Sequence, residues 1–98
     1  MMSMEICLNE TKIKKQNLMI DEVNKTIIDV CSSANITKKE NNLFIGNNDS
    51  QDFANFGKIV LKLKEINWFL LSIDKWFLYE EDEEEDLADY YRKKLNIA

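Results

Sequence analysis

The sequence predicts a mainly α fold, a single-domain helical bundle of about four helices. Three observations favour it. The chain has 98 residues, which is enough for one domain with one modest core. It contains no proline and only two glycines, whereas small all-β proteins use both residues at their turns. Its apolar residues recur at helical spacing over several long stretches. We therefore predict one domain, residues 1–98.

The start of the chain and a short apolar cluster in its middle leave room for a β element. Apolar and polar residues alternate from Met4 to Leu8, which is typical of a short strand or of an extended or disordered start over residues 1–10. Residues 43–46 begin with the cluster Leu-Phe-Ile. If residues 4–8 and 43–46 pair, a minor two-stranded β element makes the fold α+β, which is the alternative.

Two helices are predicted from their apolar stripes, over residues 12–34 and 51–66. Asp49 and Asp52 suit the start of the second helix. Gly57 lies inside it and costs about 1 kcal/mol relative to alanine, so we expect a close approach by another helix or a large aromatic ring over its bare Cα. The apolar residues at helical spacing are Ile20, Val23, Ile27, Val30, Cys31 and Ala34 in the first helix, and Phe53, Phe56, Ile59, Val60, Leu63 and Ile66 in the second.

The C-terminal third is predicted to contain two more helices, over residues 68–80 and 84–96. Residues 67–79 are apolar at most positions, a feature of a buried helix or a buried strand that periodicity alone does not separate. The strand interpretation needs a hairpin turn at residues 72–75, where no glycine is present, so we favour a helix. In the last segment acids precede the apolar residues and bases follow them, which suits the helix dipole.

The net charge of −5 is confined to one end of the chain. Residues 1–79 hold ten acids and ten bases, whereas residues 80–98 hold eight acids and three bases. A neutral body with an acidic end does not suit nucleic acid, because affinity for phosphates comes from clustered lysines and arginines. It suits a basic protein partner.

The residues that catalysis and metal binding usually need are missing. There is no histidine, and Cys7 and Cys31 have no CxxC spacing. The sequence also lacks a nucleophile elbow and a glycine-rich phosphate loop, so we predict no enzyme activity, no cofactor and no metal. The N-terminal residues do not have the pattern of a signal peptide, and no stretch reaches the roughly 18 apolar residues of a membrane span. We therefore predict a cytoplasmic protein with no membrane contact.

The acid run from Glu80 to Asp86 and the rings around it are the best candidate for a binding surface. Charge runs often only face solvent, and this one lacks the glycine and the ligand spacing of an EF-hand calcium site. Here, however, the acids directly follow aromatic residues, and Trp and Tyr are enriched at binding hot spots. The candidate partner-binding residues are Trp76, Tyr79, Glu80, Glu81, Asp82, Glu83, Glu84, Glu85, Asp86, Asp89 and Tyr90.

The segment Asn67–Tyr91 combines the mostly apolar run Trp-Phe-Leu-Leu-Ser-Ile-Asp-Lys-Trp-Phe-Leu-Tyr with the acids that follow it. This segment resembles small acidic immunity proteins of bacterial contact-dependent and related toxin systems. The resemblance covers about a quarter of the chain. It implies a cytoplasmic protein that binds one cognate toxin and has no activity of its own. These families differ in fold and share no diagnostic motif, so the resemblance assigns no functional residue.

Two functions follow as hypotheses. The first is a non-enzymatic inhibitor of immunity or antitoxin type, which neutralises a basic toxin, a nuclease, by blocking it with an acidic and aromatic surface. The alternative is a structural or adapter subunit that self-associates through an exposed apolar helical face.

Overall fold

The computed structural model of the chain describes residues 1–40 and 42–96 and has an α+β fold. Within these residues, five strands form one antiparallel sheet and four helices accompany it. The predicted mainly α bundle is therefore wrong, and the α+β alternative describes the chain. Residues 41, 97 and 98, which the predicted domain includes, lie outside the described residues. In chain order the elements are β1 (Met2–Leu8), α1 (Glu10–Lys15), α2 (Ile20–Ser33), β2 (Thr37–Glu40), β3 (Leu43–Ile45), α3 (Asp52–Glu65), β4 (Ile73–Glu80), β5 (Glu83–Asp86) and α4 (Leu87–Lys94).

The N-terminal strand lies at the centre of the sheet, whose strand order is β2-β3-β1-β4-β5. On one side β1 pairs with β3, where Met4 lies opposite Phe44. On the other side it pairs with β4, where Met4 lies opposite Leu78. Residues 3–5 pair with residues 43–45, so the pairing of residues 4–8 with residues 43–46, on which the α+β alternative rested, is present over part of its predicted length. It belongs to a much larger sheet than the minor element that we expected.

The core lies on one face of the sheet. In β1 the side chains of Met2, Met4 and Ile6 are buried and those between them are only half-buried, as expected for a strand that is covered on one side. The apolar residues of all four described helices join the same cluster as these strand residues. The arrangement is a two-layer packing of helices on a sheet, in which no helix of the described residues covers the second face of the sheet.

Two predicted helices are present with changes. The predicted helix 51–66 corresponds to α3, but Phe53, which we placed on its buried stripe, is 75% exposed. The predicted helix 12–34 is divided into α1 and α2, because Asn17 between them adopts a left-handed φ of 62° that no helix continues through. None of the helices in the described ranges combines the length and the apolar character that a membrane crossing requires.

The C-terminal third differs most from the prediction. The predicted helix 68–80 is wrong, because residues 73–80 form β4. The predicted helix 84–96 begins later, at Leu87, because the acids before it form β5. Residues 76–79 of β4 form an unbroken apolar run in the sequence. The inward side chains of Trp76 and Leu78 belong to the core or pack against it, and the outward side chains of Phe77 and Tyr79 are aromatic.

The turns of this fold are made without glycine. Among the described residues, the left-handed φ values belong to Asn17, Asn35, Asn48, Asn96 and Glu81, and to no glycine. Asparagine adopts this conformation more readily than most other residues. Glu81, with a φ of 50°, lies in the two-residue turn between β4 and β5, where positive φ is usual. The lack of glycine was therefore not an argument against a hairpin, although the turn lies at residues 81–82 and not at residues 72–75.

Replacing Gly57 by alanine is expected to stabilise the protein by about 1 kcal/mol, because a helical glycine costs that much and nothing here requires it. Apart from its chain neighbours and the backbone of its own helix, a Cβ at this position would meet no atom of the described residues within 4 Å, so the close approach that we expected is absent. Urea unfolding measures the change. Gly46→Ala is the matched control and should destabilise, since its Cβ would lie 2.6 Å from Oδ2 of Asp52. Equal effects of the two variants would contradict this account.

Candidate partner-binding surface

The acid run forms the second half of a β-hairpin at the edge of the sheet. Glu80 is the last residue of β4 and lies opposite Glu83, the first residue of β5, across the turn. The strand β5 continues to Asp86, whose side chain accepts a hydrogen bond from the backbone N–H of Asp89 at 3.0 Å and so caps α4. All four residues of β5 are exposed. The hairpin therefore presents carboxylates on both faces of the sheet, since successive strand residues point to opposite sides.

The face of the sheet that the helices leave free carries part of these acids. Its half-buried rings and aliphatic side chains are absent from the core cluster of the described residues, which lies on the other face. The cross-strand register brings Ser3, Tyr79 and Glu84 into one row and Glu5, Phe77 and Asp86 into the next. We name this surface the open face. Its residues are Ser3, Glu5, Cys7, Leu43, Ile45, Lys75, Phe77, Tyr79, Glu84 and Asp86.

Two aromatic rings stand in the middle of the open face beside these acids. Phe77 and Tyr79 are stacked, with ring centroids 5.9 Å apart and an interplanar angle of 17°. The hydroxyl of Tyr79 donates a hydrogen bond to Oε1 of Glu5 at 2.7 Å. The side chain of Tyr79 has less freedom to move than an isolated surface ring, because the stacking on Phe77 and the hydrogen bond to Glu5 both restrict it.

The hydrogen bond to Glu5, followed by burial and nearby carboxylates including Glu84, raises the pKa of Tyr79 from its ordinary value of 10.0 to about 12. The phenol therefore stays protonated and remains a donor at neutral pH. Because the pKa of the folded state lies above that of the unfolded state, the stabilisation is fully present below pH 10 and is lost as the pH rises from 10 towards 12.

The helix side of the same hairpin forms a groove. Glu80, Glu83 and Glu85 point to this side, as does Leu78. Together with Met2 and the exposed ring of Phe53 they line a cavity of about 330 Å³ that also reaches Glu84. We name this cavity the hairpin groove. It lies between the start of α3 and β5, and the same carboxylate run therefore serves two separate surfaces.

Trp76 was predicted to contact a partner, and the structure contradicts this. The side chain is fully buried, with a relative exposure of 0%. Its ring meets Phe69 edge-on at 4.8 Å and stacks on Tyr91 at 5.7 Å, and its indole N–H donates to Sδ of Met4 at 3.3 Å. Trp76 points to the core because it occupies a helix-side position of β4. Its neighbour Phe77, which we did not select, holds the outward position.

The other predicted residues are not brought together on one surface. Tyr79, Glu84 and Asp86 lie on the open face, whereas the remaining strand acids line the hairpin groove. At the turn, Glu81 forms an ion pair with the N-terminal amine at 3.0 Å. On α4, Asp89 forms an ion pair with Lys93 at 3.1 Å. Tyr90 is 50% exposed, and Asp82 lies in the turn.

The two cysteines do not form a reactive site. Both are free thiols, with Cys31 buried and Cys7 half-buried on the open face. Burial raises the pKa of Cys31 to about 12, and burial together with the Glu5 carboxylate raises the pKa of Cys7. Both thiols therefore stay protonated and are weak nucleophiles at neutral pH. In the described ranges, no group of three or more Cys, Asp or Glu side chains is arranged to hold a metal ion.

No protein-family model matches the chain, and no curated protein matches it either. A function can therefore be inferred only from the geometry and the charge of these two surfaces.

Proposed function

We propose that the chain is a non-enzymatic inhibitor of immunity or antitoxin type, which neutralises a basic toxin that cleaves nucleic acid by covering its cationic cleft. The observation that supports this most strongly is the open face beside the hairpin. There the stacked rings of Phe77 and Tyr79 lie next to the exposed carboxylates of Glu84 and Asp86. A cleft built to hold phosphates and bases meets carboxylates and rings in a comparable arrangement.

The rings and the acids of the open face have different parts in this proposal. Rigid aromatic side chains provide binding energy at the centre of an interface and lose little conformational entropy when they are covered. Exposed carboxylates act over longer distances and raise the rate at which a basic partner is captured. The eight acids of residues 80–98 give the field that directs the partner towards this end of the molecule.

The test is a binding measurement with a basic nuclease toxin encoded next to this chain, using the double variant Glu84→Gln with Asp86→Asn. Asparagine keeps the cap of α4, so the fold should be retained. We expect the association rate to fall by about three- to tenfold at low salt and by less at high salt, because salt screens exposed charges. Tyr79→Ala should instead speed dissociation by about 30-fold, equivalent to roughly 2 kcal/mol.

The matched control for the charge change is Asp21→Asn with Glu22→Gln. These acids are exposed on α2, which contacts β2 at the opposite edge of the sheet from β5. This variant has the same net charge as the first and should leave the association rate within about twofold of the unmodified chain. The proposed inhibition by an acidic surface would be contradicted if the association rate did not depend on salt and if the Glu84 and Asp86 variant bound the toxin as fast as the unmodified chain.

The adapter function has its own supporting observation, on α3. Phe53 and Leu61 are 75% and 55% exposed, and the open space at Gly57 lies between them at positions that share one side of the helix. This side could pack against a second copy. Sedimentation of the chain at increasing concentration separates the two functions, because an apolar contact would give a dimer that persists in high salt and is lost in Leu61→Lys.

A further inference from the structure

We propose that the hairpin groove accepts an arginine side chain of the protein partner. This proposal rests on the proposed function only in naming a basic protein as the source of the arginine. It adds a second contact site, on the opposite side of the sheet from the open face, and it states which residue the partner must supply.

The groove has an apolar floor and an exposed aromatic wall. Met2 and Leu78 belong to the sheet, and the ring of Phe53 stands 75% exposed on α3 above them. Aromatic side chains of this size are usually covered, and the next ring on the same helix, Phe56, is fully buried. The cavity volume of about 330 Å³ is at the lower end of the range of about 300–1,000 Å³ for small-molecule pockets, which suits one long side chain.

The carboxylates of the groove have no cationic partner in the described part of the chain. None of its ion pairs includes Glu80, Glu83 or Glu85. Glu80 lies directly opposite Glu83, and like charges at opposite positions of two strands repel each other. A cation that enters the groove relieves this repulsion. The charge of the groove therefore selects a positively charged ligand over a neutral one.

The shape of the groove favours the guanidinium group over other cations. A guanidinium is planar, stacks on an aromatic face such as that of Phe53, and donates two parallel hydrogen bonds to one carboxylate. A lysine ammonium is a compact and strongly hydrated charge that gains less from the ring. A metal ion is not favoured, because no group of three metal-ligand side chains is assembled in the described residues.

The test uses short peptides and two double variants of the same hairpin. The backbone amide chemical shifts of the isotope-labelled protein are followed by NMR during titration with tetra-arginine, with tetra-lysine and with tetra-citrulline, whose side chains are uncharged. Glu83→Gln with Glu85→Gln removes two charges that line the groove, and Asp82→Asn with Asp86→Asn removes two acids of the same run that do not line it. We expect the groove-side variant to weaken binding of tetra-arginine about fivefold or more and the variant of Asp82 and Asp86 to weaken it less than about twofold.

Two further comparisons make the result specific. Phe53→Ala should weaken tetra-arginine binding about as much as the groove-side variant. Leu61→Ala changes another exposed apolar residue of α3, which does not line the groove, and should not weaken it. Tetra-arginine should bind at least about threefold more tightly than tetra-lysine, and tetra-citrulline should cause no shifts. The amide spectra of the variants also report whether each one is folded.

Equal weakening by both double variants would mean that the peptides follow only the general acidity of the hairpin, and it would overturn the groove. Equal binding of tetra-arginine and tetra-lysine would overturn the choice of arginine. Because no toxin is present in this experiment, it can refute the binding of arginine in the groove without refuting the inhibition of a toxin. A failed toxin assay likewise leaves the peptide result intact.

Discussion

Replacing Trp76 by alanine is expected to reduce the free energy of unfolding by about 3–5 kcal/mol, the usual cost of removing a large aromatic ring from a core. The ring is fully buried between Phe69 and Tyr91, and its N–H is directed at Met4. Truncation leaves a cavity at the place where β1, β4 and α4 meet. In a chain of 98 residues such a loss is a large part of the total stability.

Urea unfolding followed by circular dichroism measures this loss. Trp76→Phe is the matched control, since it keeps a ring in the cavity and removes only the indole extension, and it should cost less than half as much. Any loss of partner binding by Trp76→Ala should follow the unfolded fraction and disappear at low temperature, because the ring is not at the surface. A cost below about 1 kcal/mol would contradict the burial of this side chain.

The second large effect is expected at Asp52, where alanine should cost about 2–4 kcal/mol. This carboxylate is only 4% exposed and accepts hydrogen bonds from the backbone N–H groups of Asn47 and Asn48 at 2.9 and 2.8 Å. Its oxygen also occupies the space beside Gly46. Without it these two N–H groups lose a charged acceptor, and the connection from β3 to α3 loses its fixed geometry.

The control is Asp49→Ala, three residues earlier in the same loop. Its carboxylate accepts one hydrogen bond, from the backbone N–H of Gln51 at 2.9 Å, and it is exposed to solvent. We expect a cost of about 0.5–1 kcal/mol, in the range of an ordinary exposed cap. Thermal unfolding of both variants in parallel provides the comparison. Equal losses of stability would contradict the role of the two hydrogen bonds that Asp52 accepts.

Local patterns predicted the helices better than the strands. In α2 and α3 the buried residues recur every three or four positions, so that the sequence itself marks the inward side. The exposure of Phe53 could not be deduced in this way, because it has the spacing of the buried residues. It is exposed because α3 begins at Asp52, one residue earlier, beside the hairpin and beyond the edge of the core.

The sheet was missed because its decisive contacts join distant parts of the chain. Strand β4 pairs with β1, and the bond from Trp76 to Met4 spans 72 residues. From Trp76 to Tyr79 the side chains point alternately to the two faces of the sheet. The sequence does not show this alternation, because the side chains on both faces are large and apolar. The acid run has the composition of a solvated segment, and it becomes a strand only because β4 offers it an edge.

The candidate site was predictable in its composition and unpredictable in its geometry. The sequence places rings next to acids at Tyr79 and Glu80, and the structure keeps them adjacent. Which ring faces outward depends on the register of β4. This register places Phe77 on the open face, whereas we had selected Trp76. The division of the acids between two faces also follows from the strand, because a helix would have distributed them around its axis.

The position of β1 between β3 and β4 has a consequence for how the chain folds. This strand precedes both of its neighbours in the chain, so neither of its edges can be satisfied until residues 43–45, and later residues 73–80, have left the ribosome. Closing loops of this length before the pairing forms makes folding slow compared with that of a helical bundle. Before β4 is made, the described helices that can cover the apolar side of β1 are α1, α2 and α3. A nascent chain that stops before β4 is therefore the species of this protein that we expect chaperones to bind.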